Sequence, residues 1–363
     1  MDTIRGLSLF ANVGIGEFLL EHNCSKVRIV LANEFLTDRA RFYKRLHPCS
    51  LVIKGDIMDA NIFNRVVCEA LNRDVGFILA TPPCQGMSSA APLRDPFDPR
   101  NTLIKYVINA VERILPRYVV IENVGNMAHT DILIERIEMN IVDYVIDRFG
   151  SMGYYTTVAR VNAANYGMPQ DRRRLFILAS KDYLWNMPRP TSGKHITLRE
   201  AIGHLPMLES GQHSGIPWHF VSELNPDQIR WLRHTPTGET AFNNLNPEHR
   251  PTTIDLETGV RRDIRAFPTS FRRQPWSRPA GTITMANGSM GDVVHPGRLL
   301  PDGTWSDARP FTVREISILT GLPETWLDLY PERHAVFNER FFRHVIGESV
   351  SPQVIKTIVD SIP

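Results

Sequence analysis

Short apolar runs alternate with amphipathic stretches through the first half of the chain. Five of these runs are almost continuously apolar, which predicts β-strands buried on both faces, as in a parallel sheet. The stretches between them carry apolar residues at helical spacing, so the pattern predicts alternating strands and helices. The five runs are IRGLSLF (4–10), VRIVLANE (27–34), SLVIKGD (50–56), VGFILATPP (75–83) and RYVVIENV (117–124).

The alternation continues beyond the fifth run, through TDILIERIEMNIVDYVIDRFGSMG (130–153). Two further segments, GYYTTVARVNAANYG (153–167) and RLFILAS (174–180), are interpreted as an antiparallel pair that closes the sheet. This order of elements predicts a doubly wound α/β sheet. Ligands of such sheets gather at the carboxyl ends of the strands, so the residues that follow each strand are the candidates for chemistry.

The pattern changes near residue 183. Prolines, glycines and polar residues become frequent, and helical patterns shorten to pieces such as ITLREAIGHL (196–205). We therefore predict a first domain over residues 1–185, a smaller irregular domain over 186–280 and a supporting segment over 281–363. We expect the final helix to return to the first domain, because the termini of compact domains often lie together.

The composition is that of a soluble protein with a substantial core, since 42% of the 363 residues are apolar and 22% are charged. The N-terminus lacks a secretory signal, and no apolar stretch approaches the roughly 20 residues of a membrane helix. We therefore expect a cytoplasmic protein. The four cysteines form no C-x-x-C pair, which argues against a disulfide framework and a structural zinc site. No metal site is predicted.

The net charge of +2 does not by itself indicate a nucleic-acid partner. Residues 259–278, however, carry six arginines against one aspartate, interleaved with aromatic residues. Two interpretations remain open at this point. The segment is either a solvated loop face or a patch that contacts phosphates.

The first three strand ends carry residues suited to a nucleoside-bearing cofactor. Gly14 and Gly16 follow the first strand and permit close approach of the backbone to a ligand, although glycine turns between strands and helices are common. Glu34 follows the second strand, where a carboxylate can accept hydrogen bonds from both hydroxyls of a ribose, and Asp56 follows the third. The phosphate-binding motif G-x-x-x-x-G-K-[ST] is not in the sequence, so a P-loop nucleotide triphosphatase is excluded as a motif match.

The next two strand ends carry a thiol and a carboxyl group. Cys84 follows the fourth strand directly after two prolines, and Glu122 lies at the end of the fifth. A thiolate can add to a ring that a protonated carboxyl group makes electrophilic by donating to a ring nitrogen, and burial favours that protonated form. A structural interpretation makes Cys84 a small buried side chain and Glu122 a helix cap.

A pair of arginines strengthens the chemical interpretation. Gln170, Arg172 and Arg174 alternate at the entry to an apolar strand, and alternation places the two arginines on one face. Both guanidinium groups can therefore point into one pocket and hold a carbonyl, a carboxylate or a phosphate. An arginine-bearing surface strand is the alternative interpretation.

Taken in order, these motifs resemble those of the DNA (cytosine-5) methyltransferases, which use S-adenosylmethionine. The resemblance runs through nearly all of the family's ordered motifs and leaves out only its variable recognition region. It rests on SLFANVGIGEF (8–18), LANEF (31–35), GDI (55–57), PPCQG (82–86), DPRNTLI (98–104), IENV (121–124), QDRRR (170–174), RPFTVREISILTGLPETW (309–326) and IGESV (346–350).

The resemblance implies a role for each matching residue. Cys84 would add to carbon 6 of a target cytosine, Glu122 would hold ring nitrogen 3, and Arg172 and Arg174 would orient the base and the active-site groups. S-adenosylmethionine would donate the methyl group and leave as S-adenosylhomocysteine. The residues implied to line the cofactor site are Phe10, Gly14, Gly16, Glu34, Phe35, Asp56, Ile57, Pro83, Leu103 and Ser349.

The resemblance also implies double-stranded DNA as the substrate, with the cytosine extruded from the stack before reaction. Gln85 and Ser88 would then lie near the DNA backbone, and Gln170 is a further candidate contact. The implied fold is a Rossmann-like methyltransferase sheet over 1–185, with a smaller irregular target-recognition domain at 186–280. The arginine-rich segment falls in that domain, so we predict that Arg272 and Arg273 contact phosphates.

Two further expectations come from what is usual in the family. The protein is expected to be a monomer, and to be the modification enzyme of a restriction system with a cognate restriction endonuclease. Two other functions are weighed, a tRNA cytosine-5 methyltransferase and an inactive homologue that only binds DNA. The sequence lacks the Cys-Phe-Thr tripeptide of the RNA branch, and the catalytic set is complete. Two departures from the family pattern are Asn12 in the first loop, where glycine is commoner, and Glu348 in the last motif, where asparagine is usual.

Overall fold

The computed structural model describes residues 3–22, 26–83, 102–134, 137–191, 193–255, 257–264, 270–290, 293–328, 330–332 and 334–363. The strands are β1 Ile4–Leu9, β2 Val27–Glu34, β3 Leu51–Lys54, β4 Phe77–Ala80, β5 Tyr118–Val124, β6 Asp131–Ile134, β7 Ile137–Asn140, β8 Tyr155–Asn162, β9 Arg173–Ser180, β10 Thr252–Ile254, β11 Arg261–Asp263, β12 Arg272–Arg273 and β13 Val293–Val294. The helices are α1 Phe18–His22, α2 Thr37–Leu46, α3 Ala60–Asn72, α4 Ile104–Ile114, α5 Ile141–Ser151, α6 Leu198–Ile202, α7 Pro226–Arg233, α8 Val313–Leu319, α9 Glu339–Gly347 and α10 Pro352–Asp360.

The chain forms two compact units. The first comprises Met1–Tyr166, Arg172–Thr191 and Ser349–Pro363, and the second comprises Gly167–Asp171 and Ser192–Glu348. We refer to them as the sheet unit and the second unit. Helix α10, near the C-terminus, belongs to the sheet unit.

The sheet unit is built on seven strands in the order β3-β2-β1-β4-β5-β9-β8. Strands β1 to β5 are parallel, whereas β9 is antiparallel to both β5 and β8. The predicted doubly wound sheet with a closing antiparallel pair is therefore confirmed. All four residues of β4 and six of the seven in β5 are buried, as expected for strands covered on both faces.

The order of the strands reverses between β1 and β4. The chain moves outward from β1 through β2 and β3, and then returns to the other side of β1 through β4 and β5. Loops that leave such a switch point diverge and open a crevice at the carboxyl ends of the strands. Thr81 spans the crevice's base, because its hydroxyl donates to the carbonyl of Phe10 at 3.0 Å.

One segment of the sheet unit differs from the simple alternation of the sequence pattern. Strands β6 and β7 pair antiparallel as a small two-stranded sheet, and only then does helix α5 begin. Along β6 the buried Ile132 is followed by the exposed Leu133, which is a period of two rather than a helical period. The side chain of Asn140 then caps α5 by accepting from the N–H of Val142.

The second unit contains short helices and three-residue or two-residue strands. Helices α6 and α8 both begin with a capping box, Thr197 with Glu200 and Thr312 with Glu315. Its apolar core includes Trp231 and Phe271, whose rings meet edge to face at 5.3 Å. Within the described residues, no helix is long and apolar enough to cross a membrane.

Candidate active site

Glu122 lies in β5 at the carboxyl edge of the sheet and is only 7% exposed. Burial raises the pKa of its carboxyl group, and the charges of Arg174 and Arg172 oppose that rise. Within the described part of the chain, Oε1 of Glu122 accepts no hydrogen bond, although it forms an ion pair with Arg174. A buried carboxyl group with a raised pKa and an oxygen that accepts no hydrogen bond is suited to bind a polar ligand group.

The two predicted arginines, Arg172 and Arg174, both lie close enough to Glu122 to lower the pKa of its carboxyl group. Arg174 Nε lies 3.2 Å from Glu122 Oε1, because antiparallel pairing sets Arg174 opposite Val124, on the same face of the sheet as Glu122. Arg172 is buried, and its Nη2 donates to the carbonyl of Ser349 at 2.7 Å. The register of β5 and β9 therefore brings Glu122 and Arg174 together, while Arg172 ties this edge to the segment before α10.

The loop after β4 is attached to β5 beside Glu122. Asn123 is buried, and its Nδ2 donates to the carbonyl of Pro82 at 3.1 Å. Pro83 is half-buried. The predicted nucleophile Cys84 and the predicted DNA contacts Gln85 and Ser88 lie outside the described residues.

The first loop owes its shape to left-handed backbone conformations. Phe10, Asn12 and Gly14 have φ values of 58°, 51° and 81°. Asparagine tolerates this conformation better than most residues, which explains how Asn12 replaces the glycine of the commoner pattern. The buried side chain of His47 supports the loop, because its Nε2 lies 2.8 Å from the carbonyl oxygen of Gly14.

Substituting alanine for Gly14 is expected to destabilise the sheet unit. The new Cβ would lie 2.1 Å from Nε2 of His47, and the positive φ adds backbone strain. Gly153→Ala is the matched control, because Gly153 has the same φ of 81° and nothing within 4 Å of the added atom. Urea denaturation should show Gly14→Ala losing about 1–3 kcal/mol more of the free energy of unfolding than the control. Equal losses would show that the contact with His47 is readily relieved.

The second and third strand ends hold acidic and aromatic side chains at the same edge. Glu34 is buried, and its two carboxylate oxygens accept from the N–H groups of Asn12 and Leu36 at 2.9 and 2.8 Å. Two donors on opposite sides fix the orientation of this carboxylate. Phe35 is 60% exposed at the end of β2, and Asp56 is half-buried after β3, with Oδ1 accepting from Met58.

The remaining residues predicted for the cofactor site occupy buried positions of the sheet unit. Ile57 and Leu103 belong to the main apolar core, and Ser349 is 4% exposed. A Cβ on Gly16 would lie 3.3 Å from Cβ of Val350, so Gly16 packs closely against the segment that follows Ser349. In the described residues, no three His, Cys, Asp or Glu side chains are grouped as metal ligands.

The structure contradicts two of the predicted DNA contacts. Arg273 is fully buried, and its guanidinium donates to the carbonyls of Leu232, His295 and Asp307. Gln170 is 1% exposed, with Nε2 donating to the carbonyl of Leu319 at 3.3 Å. Both predictions were wrong, because the side chains are enclosed within the second unit and have no surface for a phosphate to approach.

Arg272 differs from its neighbour. It is half-buried, and its Nη1 donates to the carbonyl of Gly238 at 2.9 Å. Consecutive residues of a strand point to opposite faces, so β12 directs one arginine into the core and leaves the other at the surface. A phosphate contact by Arg272 stays a prediction.

Sequence reasoning missed a cluster beneath the first loop. Glu17 is buried, which raises the pKa of its carboxyl group, and it accepts from the hydroxyl of Tyr43 at 3.1 Å. The rings of Tyr43 and His47 contact each other in a tilted arrangement, with 4.5 Å between their centroids. Glu17 is distant in sequence from Tyr43 and His47, so the only signal of the cluster was the spacing of four residues that places Tyr43 and His47 on one side of α2.

A buried ionic network in the second unit was also missed. Arg309 donates to the carboxylates of both Asp307 and Glu315, at 2.8 Å to each. Burial alone would raise the pKa of Glu315, yet the charge of Arg309 holds it well below its usual value. Glu315 also completes the capping box of α8, so the network fixes the start of that helix.

Replacing Arg309 with methionine is expected to cost about 3–5 kcal/mol, because two buried carboxylates would lose their shared cation. Thermal unfolding monitored by tryptophan fluorescence would report the loss. Arg262→Met is the control in the same unit, since Arg262 pairs with Asp255 in solvent and such exposed pairs contribute about 1 kcal/mol or less. A loss no larger than that of the control would mean that the network does not stabilise the unit.

The family model described as "C-5 cytosine-specific DNA methylase" matches residues 4–363. Among curated proteins, the chain is similar to the type II methyltransferase M1.HgaI of Avibacterium volantium. The two are 40% identical over 366 residues, covering 99% of this chain and 98% of that protein. It is also similar to M1.HphI of Haemophilus parahaemolyticus, at 25% identity over 96% of this chain and 84% of the relative.

Solved structures with low sequence identity share the fold. A protein described as a DNA modification methyltransferase encoded within an E. coli prophage superposes with a TM-score of 0.66 at 18% identity, covering 99% and 98% of the two chains. Spodoptera frugiperda DNMT2 superposes with a TM-score of 0.62 at 14% identity, covering 98% and 99%. At these identities the likeness concerns the fold alone.

Proposed function

The chain belongs to the C-5 cytosine-specific DNA methylases and is a DNA (cytosine-5-)-methyltransferase, and we propose that it acts on a flipped cytosine through a covalent adduct with Cys84. The target would be a specific sequence in double-stranded DNA. Carbon 6 of a cytosine is shielded within the stacked duplex, so extrusion of the base must precede attack, at a cost of a few kcal/mol.

The position of Glu122 is the observation that carries this proposal. Its carboxyl group is buried and has a raised pKa, and its Oε1 accepts no hydrogen bond among the described residues. A protonated carboxyl group can donate to ring nitrogen 3 of cytosine, which draws electrons from carbon 6 and makes it electrophilic. The charge of Arg174, 3.2 Å away, would stabilise the carboxylate whenever the proton shifts to the ring.

The nucleophile would come from the adjacent strand end. Asn123 holds the carbonyl of Pro82, two positions before Cys84 in the sequence, against β5 beside Glu122. The thiolate of Cys84 adds to carbon 6, and carbon 5 gains the electron pair with which it takes the methyl group. Loss of the carbon 5 proton to a base then returns that pair to the ring, and the Cys84–carbon 6 bond breaks to release the thiolate.

The crevice residues fit S-adenosylmethionine, which supplies an electrophilic methyl group from its sulfonium. Glu34 presents a carboxylate of fixed orientation for the ribose hydroxyls, and the exposed ring of Phe35 is suited to stack on the adenine. Asp56 and Ile57 follow the next strand end, and the loop that contains Gly14 and Gly16 is proposed to hold the methionine end. Pro83, Leu103 and Ser349 complete the proposed set.

The second unit is proposed to read the target sequence, with Arg272 among its contacts to phosphates. Arg172 and Arg174 would orient the base and the carboxyl group of Glu122. The similarity to proteins named as type II methyltransferases supports a role as the modification enzyme of a restriction system, with a cognate endonuclease as its functional partner. We propose that the protein is a monomer and that its substrate is the DNA of the cell.

The experiment is to incubate the purified protein with duplex DNA and methyl-labelled S-adenosylmethionine, and to digest the product to nucleosides for mass spectrometry. Label in 5-methylcytosine is expected, and bisulfite sequencing would then give the target sequence. Label in N4-methylcytosine or N6-methyladenine would overturn the proposed chemistry. Transfer to tRNA but not to DNA would instead favour the RNA-directed alternative, and no transfer to either substrate would favour the DNA-binding homologue.

A further inference from the structure

A groove of about 530 Å³ lies in the sheet unit beside Glu122. It is formed by the 3₁₀ turn Gly125–His129, the end of β8 and the start of β9. Its volume falls within the range of about 300–1,000 Å³ that is usual for ligand sites. We call this feature the β8–β9 groove.

The lining of the β8–β9 groove is basic and rich in hydrogen-bond donors. Three arginines line it, Arg160, Arg173 and Arg174, together with His129 and three asparagine amides. Among the described residues that line it, none is acidic. Arg160 and Arg173 are exposed, and Arg160 Nη2 donates to Nε2 of His129 at 2.9 Å. A wall of cations without carboxylates favours an anionic ligand.

The inner end of the groove reaches the proposed base-binding group. Arg174 lines the groove and also lies 3.2 Å from Glu122 through its Nε. Its Nη1 donates to the carbonyl of Arg173, and this bond holds the guanidinium between the groove and Glu122. Arg174 is therefore the residue shared by the groove and the proposed base-binding group.

We propose that the β8–β9 groove binds the phosphodiester backbone of the DNA strand that carries the target cytosine, next to the extruded nucleotide. The inference rests on the proposed function, since it takes Glu122 as the group that holds the base. The phosphates flanking that nucleotide are the anions nearest to the base, and the arginines of the groove are the cations that continue from Arg174. Arg160 and Arg173 are the contacts at the open end, and Arg174 positions the strand relative to Glu122.

The first test is the salt dependence of DNA binding by the full-length protein, measured by fluorescence anisotropy. Each phosphate contact contributes about −0.9 to the slope of log K against log salt. The double substitution Arg160→Gln with Arg173→Gln should weaken binding about tenfold at 0.15 M salt and reduce the magnitude of the slope by about 2. Arg160→Lys with Arg173→Lys should restore the slope, because the charges return.

The matched control is Arg148→Gln, an exposed arginine of α5 that pairs with Glu112 and does not line the groove. The control should bind DNA with the wild-type slope. A wild-type slope in the double glutamine variant, or an equal change in the control, would overturn the proposal for the groove. Thermal unfolding of all three variants should match that of the wild type, which separates lost contacts from lost structure.

The second test assigns the strand. Neutral methylphosphonate linkages are placed on either side of the target cytosine, or at the matching positions of the opposite strand, in a duplex whose target has been mapped. Wild-type affinity should fall only for the target-strand substitution, and the double glutamine variant should not respond. Loss on the opposite strand instead would contradict the assignment. Methylation by the wild-type protein is measured alongside, so failure of the proposed function is seen separately, as absence of methyl transfer.

Discussion

Replacing Cys84 with serine is expected to lower the rate of methyl transfer by on the order of 10⁴-fold or more. A serine hydroxyl is hardly ionised near neutral pH, whereas a thiol with an ordinary pKa of about 8.5 is partly thiolate. Without a nucleophile at carbon 6, carbon 5 has no electron pair with which to accept the methyl group. Single-turnover transfer of labelled methyl groups would measure the loss, with DNA binding followed by anisotropy and expected to persist.

Two other cysteines provide matched controls for this substitution. Cys49 and Cys68 are exposed free thiols, and serine at either position should leave turnover unchanged. DNA containing 5-fluorocytosine at the target adds a direct readout, because carbon 5 then carries no proton to be lost and the protein–DNA adduct should persist. An adduct that forms equally in Cys84→Ser would assign the nucleophile to another residue.

Substituting glutamine for Glu122 is expected to reduce the rate of methyl transfer by about 10²–10⁴-fold. The amide keeps the size of the side chain, but it cannot supply or take back a proton at ring nitrogen 3. Because burial raises the pKa of Glu122, its protonated form extends toward neutral pH, and wild-type activity should fall as the pH rises through that raised value. The residual activity of the variant should lack this decline.

The raised pKa of Glu122 also predicts how the free energy of unfolding depends on pH. A carboxyl group whose pKa is raised on folding favours the native state below its unfolded pKa, and this contribution is lost as pH rises through the folded pKa. The free energy of unfolding of Glu122→Gln, relative to wild type, should therefore increase with pH. Glu112→Gln, an exposed glutamate paired with Arg148, is the control and should change neither property. A Glu122 variant with wild-type turnover would place ring activation elsewhere.

The sequence determined the sheet and the order of its strands. Continuous apolar runs require burial on both faces, and this requirement is local, so runs such as VVIEN and FILA became β5 and β4 within a few residues of their predicted bounds. The same logic placed Glu34, Asp56 and Glu122 at one edge, because parallel strands bring their carboxyl ends together. The antiparallel pair β6–β7 was harder to predict, because its strands are only four residues long and precede a helix.

Arg272 and Arg273 show the limit of this reasoning. Both belong to a segment that the sequence marks as basic and exposed, yet β12 turns Arg273 toward the carbonyls of Leu232, His295 and Asp307. A side chain's environment depends on which distant backbone packs against it, and periodicity contains no information about that backbone. Gln170 was misjudged for the same reason.

The sequence by itself therefore determined the fold class, the strand edge at which chemistry can occur and the residue types available there. Only the tertiary structure decided that Arg174 reaches Glu122, that Asn123 holds Pro82 beside it, and that Arg160 joins Arg173 in one groove. The physical reason is that these contacts depend on strand register and on packing between segments distant in the chain, whereas the apolar pattern records only how each residue meets water.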